Sequence, residues 1–154
     1  MIWRLSTGDW IHSQLQTIDY RLQADAREIV SKVRQGQCQL LSTFGEVIQG
    51  ITPYDKYRSQ DPTLIKQRGY HSFEQVNDTY KKWLSGKDVS RYQLNWSSEW
   101  ISYGRWLAAP RDPRFFEGDR LLFREVPGQN KRIHATFVTE ETYYHGHSIT
   151  PFKA

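Results

Sequence analysis

A chain of 154 residues, 38% of them hydrophobic and 25% charged, has room for one packed domain with a core of its own. Its single cysteine, Cys38, excludes an internal disulfide and a cysteine-built zinc site. Neither a run of eighteen apolar residues nor a charged-then-apolar N-terminal stretch occurs, so membrane spanning and secretion are not expected and the cytoplasm is the expected compartment.

In chain order, residues 9–35 place Ile11, Leu15, Ile18, Leu22, Ile29 and Val33 at gaps of four, three, four, seven and four, one apolar stripe on a helix. Thr7 or Asp9 can cap its start, and Gly36 stands where it would end. About 25 residues of helix would run roughly 40 Å at about 1.5 Å per residue, more than a small domain needs for itself. Part of that stripe is therefore expected to face something other than its own domain.

From Phe44 the period shortens. The stretch EVIQGI suits a strand, and Gly50 within it marks a bend or the close approach of another backbone. Residues 52–72 are polar and broken by Pro53, Pro62 and Gly69, which predicts a displayed loop. A tight Ser85-Gly86-Lys87-Asp88 turn follows, then predicted strands over residues 100–106, 120–126 and 132–138. Residues 143–151 read as an edge strand running out. The sum is an α+β fold: a long N-terminal helix plus a twisted, mostly antiparallel sheet or partial β-barrel.

Positive charge is concentrated. The net charge is +4, and residues 81–132 hold eleven Lys or Arg against six Asp or Glu, interleaved with Trp and Tyr. Cations beside flat rings suit a polyanion with exposed bases. Other chemistry lacks its motifs. There is no GxGxxG or GxxxxGK(S/T) cradle for a nucleotide, so no cofactor is expected. His134, His145 and His147 fall near the end with only Glu140 and Glu141 as acidic company, and no metal site is expected there. No GxSxG elbow or catalytic Cys–His surroundings occur.

The run Leu84-Ser85-Gly86-Lys87-Asp88-Val89-Ser90-Arg91-Tyr92 resembles the L-x-G-K/R-D-I/V-x-R-Y signature of the TaqI-like C-terminal specificity domain, the target recognition domain of N6-adenine DNA methyltransferases and of fused restriction-modification enzymes. Other pieces are similar to that family in the same order: Gly50-Ile51-Thr52, Glu99-Trp100-Ile101-Ser102-Tyr103-Gly104, Leu107-Ala108-Ala109-Pro110-Arg111, and 116–125 with Phe116, Arg120, Leu122 and Arg124. Ile133-His134-Ala135-Thr136 and Tyr143-Tyr144 complete a likeness covering roughly residues 44–150. It implies a DNA methylase specificity domain-like fold. The N/D/S-P-P-Y/F/W turn that receives a flipped adenine is absent, as is the cofactor loop; Thr52-Pro53-Tyr54 and Asp112-Pro113-Arg114 are not that motif.

The resemblance thus implies a sequence-specific DNA-binding module that is no enzyme by itself. Its expected partners are double-stranded DNA and a methyltransferase catalytic domain in the same parent chain; on the resemblance, residues 1–43 are a helical linker segment toward that domain and 44–154 the target recognition domain. Candidate phosphate contacts are Lys56, Arg58, Lys87, Arg91, Lys131 and Arg132, and candidate base readers are Tyr103, Arg105, Arg111 and Arg114. Trp96, Trp100 and Trp106 are expected in the core. The alternatives are a small metal-dependent nuclease using Asp112, Glu125 and Lys131, or a protein-interaction module on the same scaffold.

Overall fold

The computed structural model describes residues 24–36, 39–128 and 132–154. Contacts divide the chain into two units, Met1–Leu40 and Leu41–Ala154. In the first, α1 (Ala24–Gln35) is a helix of 12 residues, with a Glu28–Lys32 ion pair at 2.7 Å one turn apart on its surface. Ile29 and Val33 are exposed on it.

The second unit is built of short strands: β1 (Glu46–Val47), β2 (His71–Ser72), β3 (Tyr80–Leu84), β4 (Val89–Ser90), β5 (Gln93–Leu94), β6 (Trp100–Ser102), β7 (Arg120–Arg124), β8 (Ala135–Val138), β9 (Tyr144–His145) and β10 (Ile149–Lys153). They form a four-stranded sheet ordered β1-β10-β7-β8, a second ordered β2-β6-β3-β9, and the β4-β5 hairpin. Every strand pairing is antiparallel except β3 with β9.

Two expectations about architecture fail. The described helices are α1 and α2 (Pro62–Lys66), 12 and five residues long, so the long N-terminal helix is not found; its predicted first part, residues 9–23, lies outside the described residues. The apolar stripe skips a turn between Leu22 and Ile29, where Asp25 and Ala26 stand, so the sequence carries no unbroken apolar face over residues 9–35. Nor does any sheet close into a barrel: the first ends in β1 and β8, the second in β2 and β9. Closure needs every strand to have a neighbour on both sides, and strands of two to five residues broken by Pro and Gly do not supply it. The fold is mostly sheet rather than α+β with a partial barrel.

Alternation decides which face each strand buries. On β7, Arg120 and Leu122 are buried while Leu121 and Phe123 are half-buried; on β8, Thr136 and Val138 are buried and Phe137 is exposed. β3 divides the core because neighbouring side chains point to opposite faces. Trp83 joins Ile51, Ile101, Leu107, Phe116 and Tyr144 on one side, and Leu84 joins Val89, Leu122, Val138, Tyr143 and Ile149 on the other. β10 is an inner strand, not the edge expected from the sequence. Its Pro151 explains the short β1, whose ladder runs Glu46–Lys153 and Val47–Phe152; the next rung falls on Pro151, which has no amide hydrogen to give.

Gly50 does lie where another backbone passes. The Ile51 amide donates to His145 O at 2.9 Å, and a Cβ on Gly50 would enter the Gly146 carbonyl. Gly50→Ala is expected to lower stability by about 2 kcal/mol, the scale of overpacking against an unyielding neighbour. A urea midpoint equal to that of the parent chain would show that the two segments separate without cost.

Candidate nucleic-acid interface

The Ser85–Asp88 turn is organised by a carboxylate, not by its lysine. Asp88 is buried, and its Oδ2 accepts from the Ser85 amide at 2.7 Å, the Ser85 hydroxyl at 2.9 Å and the Ser97 hydroxyl at 3.2 Å. Its own carbonyl accepts from the Asn95 amide at 2.8 Å. The turn is thereby fixed at both ends, and Lys87 is left exposed on its outside.

The β4-β5 hairpin follows at once. Val89 pairs with Leu94 and Ser90 with Gln93, so Arg91 and Tyr92 alone make the turn. Tyr92 has φ 60, in the left-handed region that favours glycine, and its side chain is 82% exposed. The Arg91 guanidinium carbon lies 5.2 Å from the ring centroid, and the Tyr92 amide donates to Ala135 O at 2.8 Å, which ties the tip to β8. Arg91, Tyr92, Arg132, Ile133 and Ala135 line an open groove of about 410 Å³. Of the predicted phosphate contacts, Arg91 and Arg132 thus border the same groove, and Lys131 lies outside the described residues.

A second group of candidates lies along another seam. Backbone bonds in both directions between Thr52 and Ala109, at 3.0 and 2.8 Å, lay the 103–114 segment against 46–60. Arg58 donates to Ala108 O at 2.6 Å and stands 3.8 Å from Asp55 Oδ2; Lys56 sits 4.8 Å from the Tyr57 ring. Arg111, itself at φ 64, turns its Nε toward Gly50 O at 3.3 Å. The Tyr103 hydroxyl donates to Arg111 O at 2.7 Å while its ring packs 4.5 Å from that of Tyr144, and burial first, then Asp112 and Glu117, pushes its pKa up. Arg114 pairs with Glu46 at 2.8 Å and Asp112 at 3.5 Å. Arg105 is exposed.

The ten candidates therefore differ in what they can still bind. Arg114 is neutralised by two carboxylates and Arg58 stands near one, while the Tyr103 hydroxyl is engaged inside the fold. Among the described residues, Lys56, Lys87, Arg91, Arg105 and Arg111 have no carboxylate within ion-pair distance. The core expectation for the tryptophans is corrected at Trp106, which is 45% exposed and lies across Gly104; Trp96 and Trp100 are half-buried.

Sequence reasoning missed the buried polar groups. Glu99 accepts from Arg68 at 2.6 Å and faces His71 Nδ1 at 2.9 Å, and the His71 ring lies 5.8 Å from that of Tyr54, which stacks on Tyr70. Burial, with Arg68 beside it, lowers the His71 pKa to about 4. Arg120 is 1% exposed and donates to Gly118 O at 2.6 Å and Glu141 O at 3.1 Å; burial lowers its pKa to about 10, so it stays charged at neutral pH. His145 is fully buried beside Phe116, its pKa lowered to about 3 by burial, and His147 Nε2 lies 2.7 Å from the Thr52 hydroxyl. Strand position could have suggested Glu99, which directly precedes β6; no local signal marks Arg68 or Arg120.

Among the described residues no group of three or more His, Cys, Asp or Glu is placed to hold a metal ion, and no helix is long and apolar enough to cross a membrane. No protein-family model matches the chain, and no curated protein matches its sequence.

Proposed function

We propose that this chain is a sequence-specific DNA-binding module of a restriction-modification or N6-adenine methyltransferase system, without catalytic activity by itself. A catalytic domain of the same parent protein is its partner for chemistry. The observation that carries the reading is the set of cations with no carboxylate partner among the described residues, Lys56, Lys87, Arg91, Arg105 and Arg111, in a chain whose excess charge is concentrated in residues 81–132. Cations held away from acids are available to phosphates. The ordered likeness between 44–150 and the TaqI-like specificity domain supports the same reading.

Duplex affinity measured against salt tests this. The chain should bind a mixed-sequence duplex with an affinity that falls steeply as salt rises. Lys87→Ala combined with Arg105→Ala should reduce the slope of log affinity against log salt by about 0.9 for each phosphate no longer neutralised. Absence of duplex binding at low salt would overturn the reading, and metal-dependent nicking abolished by Asp112→Ala would replace it with a nuclease.

A further inference from the structure

We propose that the groove at the β4-β5 tip holds one unpaired nucleotide of the DNA, its base stacked on the Tyr92 ring and its phosphate between Arg91 and Arg132. The inference rests on the DNA-binding reading and adds to it a partner state that a fully paired duplex does not offer. Four features of the site lead to it.

The first is that burial does not account for tyrosine at this position, although the Arg91 guanidinium lies 5.2 Å from its ring. Glycine or asparagine would make a two-residue turn at φ 60 without strain, and a ring 82% exposed gains little from burial. The second is that the tip is held in place: the hairpin pairing and the Tyr92 amide bond to Ala135 O fix the backbone from which the ring projects, so a ligand does not have to order the turn.

The third feature is the composition of the walls. The groove of about 410 Å³ offers a phenol face, the exposed side chain of Ile133, the small Ala135 and two guanidinium groups, and among the described residues no carboxylate lines it. A flat apolar face beside positive charge fits a flat ring carrying an anion, and excludes a cationic ligand. The fourth is steric and concerns the ligand. A base in an intact stack has both faces covered by its neighbours, so only a base displaced from the stack can lie on Tyr92.

The test uses the full chain and two fluorescent duplexes of the same sequence, one fully paired and one with a single bulged 2-aminopurine. The parent chain should bind the bulged duplex more tightly than the paired one, with quenching of the 2-aminopurine as it stacks. Tyr92→Ala should bring the ratio of the two affinities down roughly tenfold and abolish the quenching, and Tyr92→Phe should keep both. Tyr92→Gly, which relieves the backbone, should match Tyr92→Ala in binding while unfolding at no lower urea concentration than the parent.

If the parent binds both duplexes and the ratio is unmoved by Tyr92→Ala, the stacking site is wrong and the DNA-binding reading stands. If Tyr92→Phe loses as much as Tyr92→Ala, the hydroxyl and not the ring is what binds, and the inference is overturned. If the parent binds neither duplex, the DNA-binding reading itself fails and the inference goes with it.

Discussion

Taken from pH 7.5 to pH 5, the chain is expected to lose about 3 kcal/mol of folding stability, because two imidazoles must stay neutral inside it. His145 is fully buried and its pKa is lowered from 6.5 to about 3, chiefly by loss of solvent; His71 is lowered to about 4 by burial and by Arg68. With folded values below the unfolded value, the unfolded chain binds protons first as pH falls. This stability is therefore complete above about pH 6.5, declines below it, and is exhausted only near the folded pKa values. One such group contributes a loss of about 2 kcal/mol by pH 5. His71 contributes less than His145, because the Glu99 carboxylate at 2.9 Å favours its protonated form, although Arg68 at 2.6 Å already neutralises much of that charge. Urea titrations at pH 7.5, 6 and 5 measure the slope. His145→Phe, which keeps a flat ring beside Phe116 and cannot titrate, should flatten it by more than half; a parent chain equally stable at pH 5 and 7.5 would mean that neither ring is held neutral.

Asp88→Ala is expected to cost about 3 kcal/mol, since buried donors that lose their acceptor carry their desolvation penalty with them. Three donors converge on Oδ2, the Ser85 amide and hydroxyl and the Ser97 hydroxyl, in a site 3% exposed. The Ser85 and Ser97 hydroxyls can turn to other acceptors; the amide cannot. Asp88→Asn keeps one side-chain oxygen for the amide and should cost about half as much. The expected mark is a lower urea midpoint at unchanged slope, with duplex affinity per folded molecule reduced as Lys87 and the β4-β5 tip lose their anchor. A midpoint within experimental error of the parent would show that the turn holds without its carboxylate.

Local rules made part of this molecule legible. The positions of β7 and β8 were legible within 120–126 and 132–138, but alternation of Ile133, Ala135 and Phe137 with polar neighbours marks the wrong face, since Thr136 and Val138 are buried and Ile133 and Phe137 exposed; Gly50 was identifiable because a glycine inside an apolar strand has few other uses. α2 was missed although Asp61 and Pro62 are a standard start: the Thr63 amide donates to Asp61 Oδ1 at 2.7 Å, but five residues are too few to show a period. The inner position of β10 was missed because Pro151 argues for an edge, and the fold answers that argument by ending β1 opposite it.

Among the candidate residues, charge and residue type were legible and pairing was not. Arg114 and Arg91 are alike in sequence; one meets Glu46 across 68 positions of chain and the other lies against the neighbouring Tyr92 ring. The Glu99 cluster and Arg120 were hidden for the same reason. Glu99 meets Arg68, and Arg120 meets the Glu141 carbonyl, from distant segments, and a charged residue in or beside a strand reads as surface until those segments are brought together.

The nine-residue run that stands out most in the sequence has its aspartate facing inward and only its lysine, arginine and tyrosine outside. Any polypeptide sharing the run would share a bend and the direction in which a hairpin leaves it, since these are what Asp88 enforces. Its choice of ligand would be written elsewhere, at positions such as 91, 92 and 132, where exchange leaves the joint intact. Swapping those three positions between chains built on the same joint should exchange preferences while leaving thermal midpoints nearly alike.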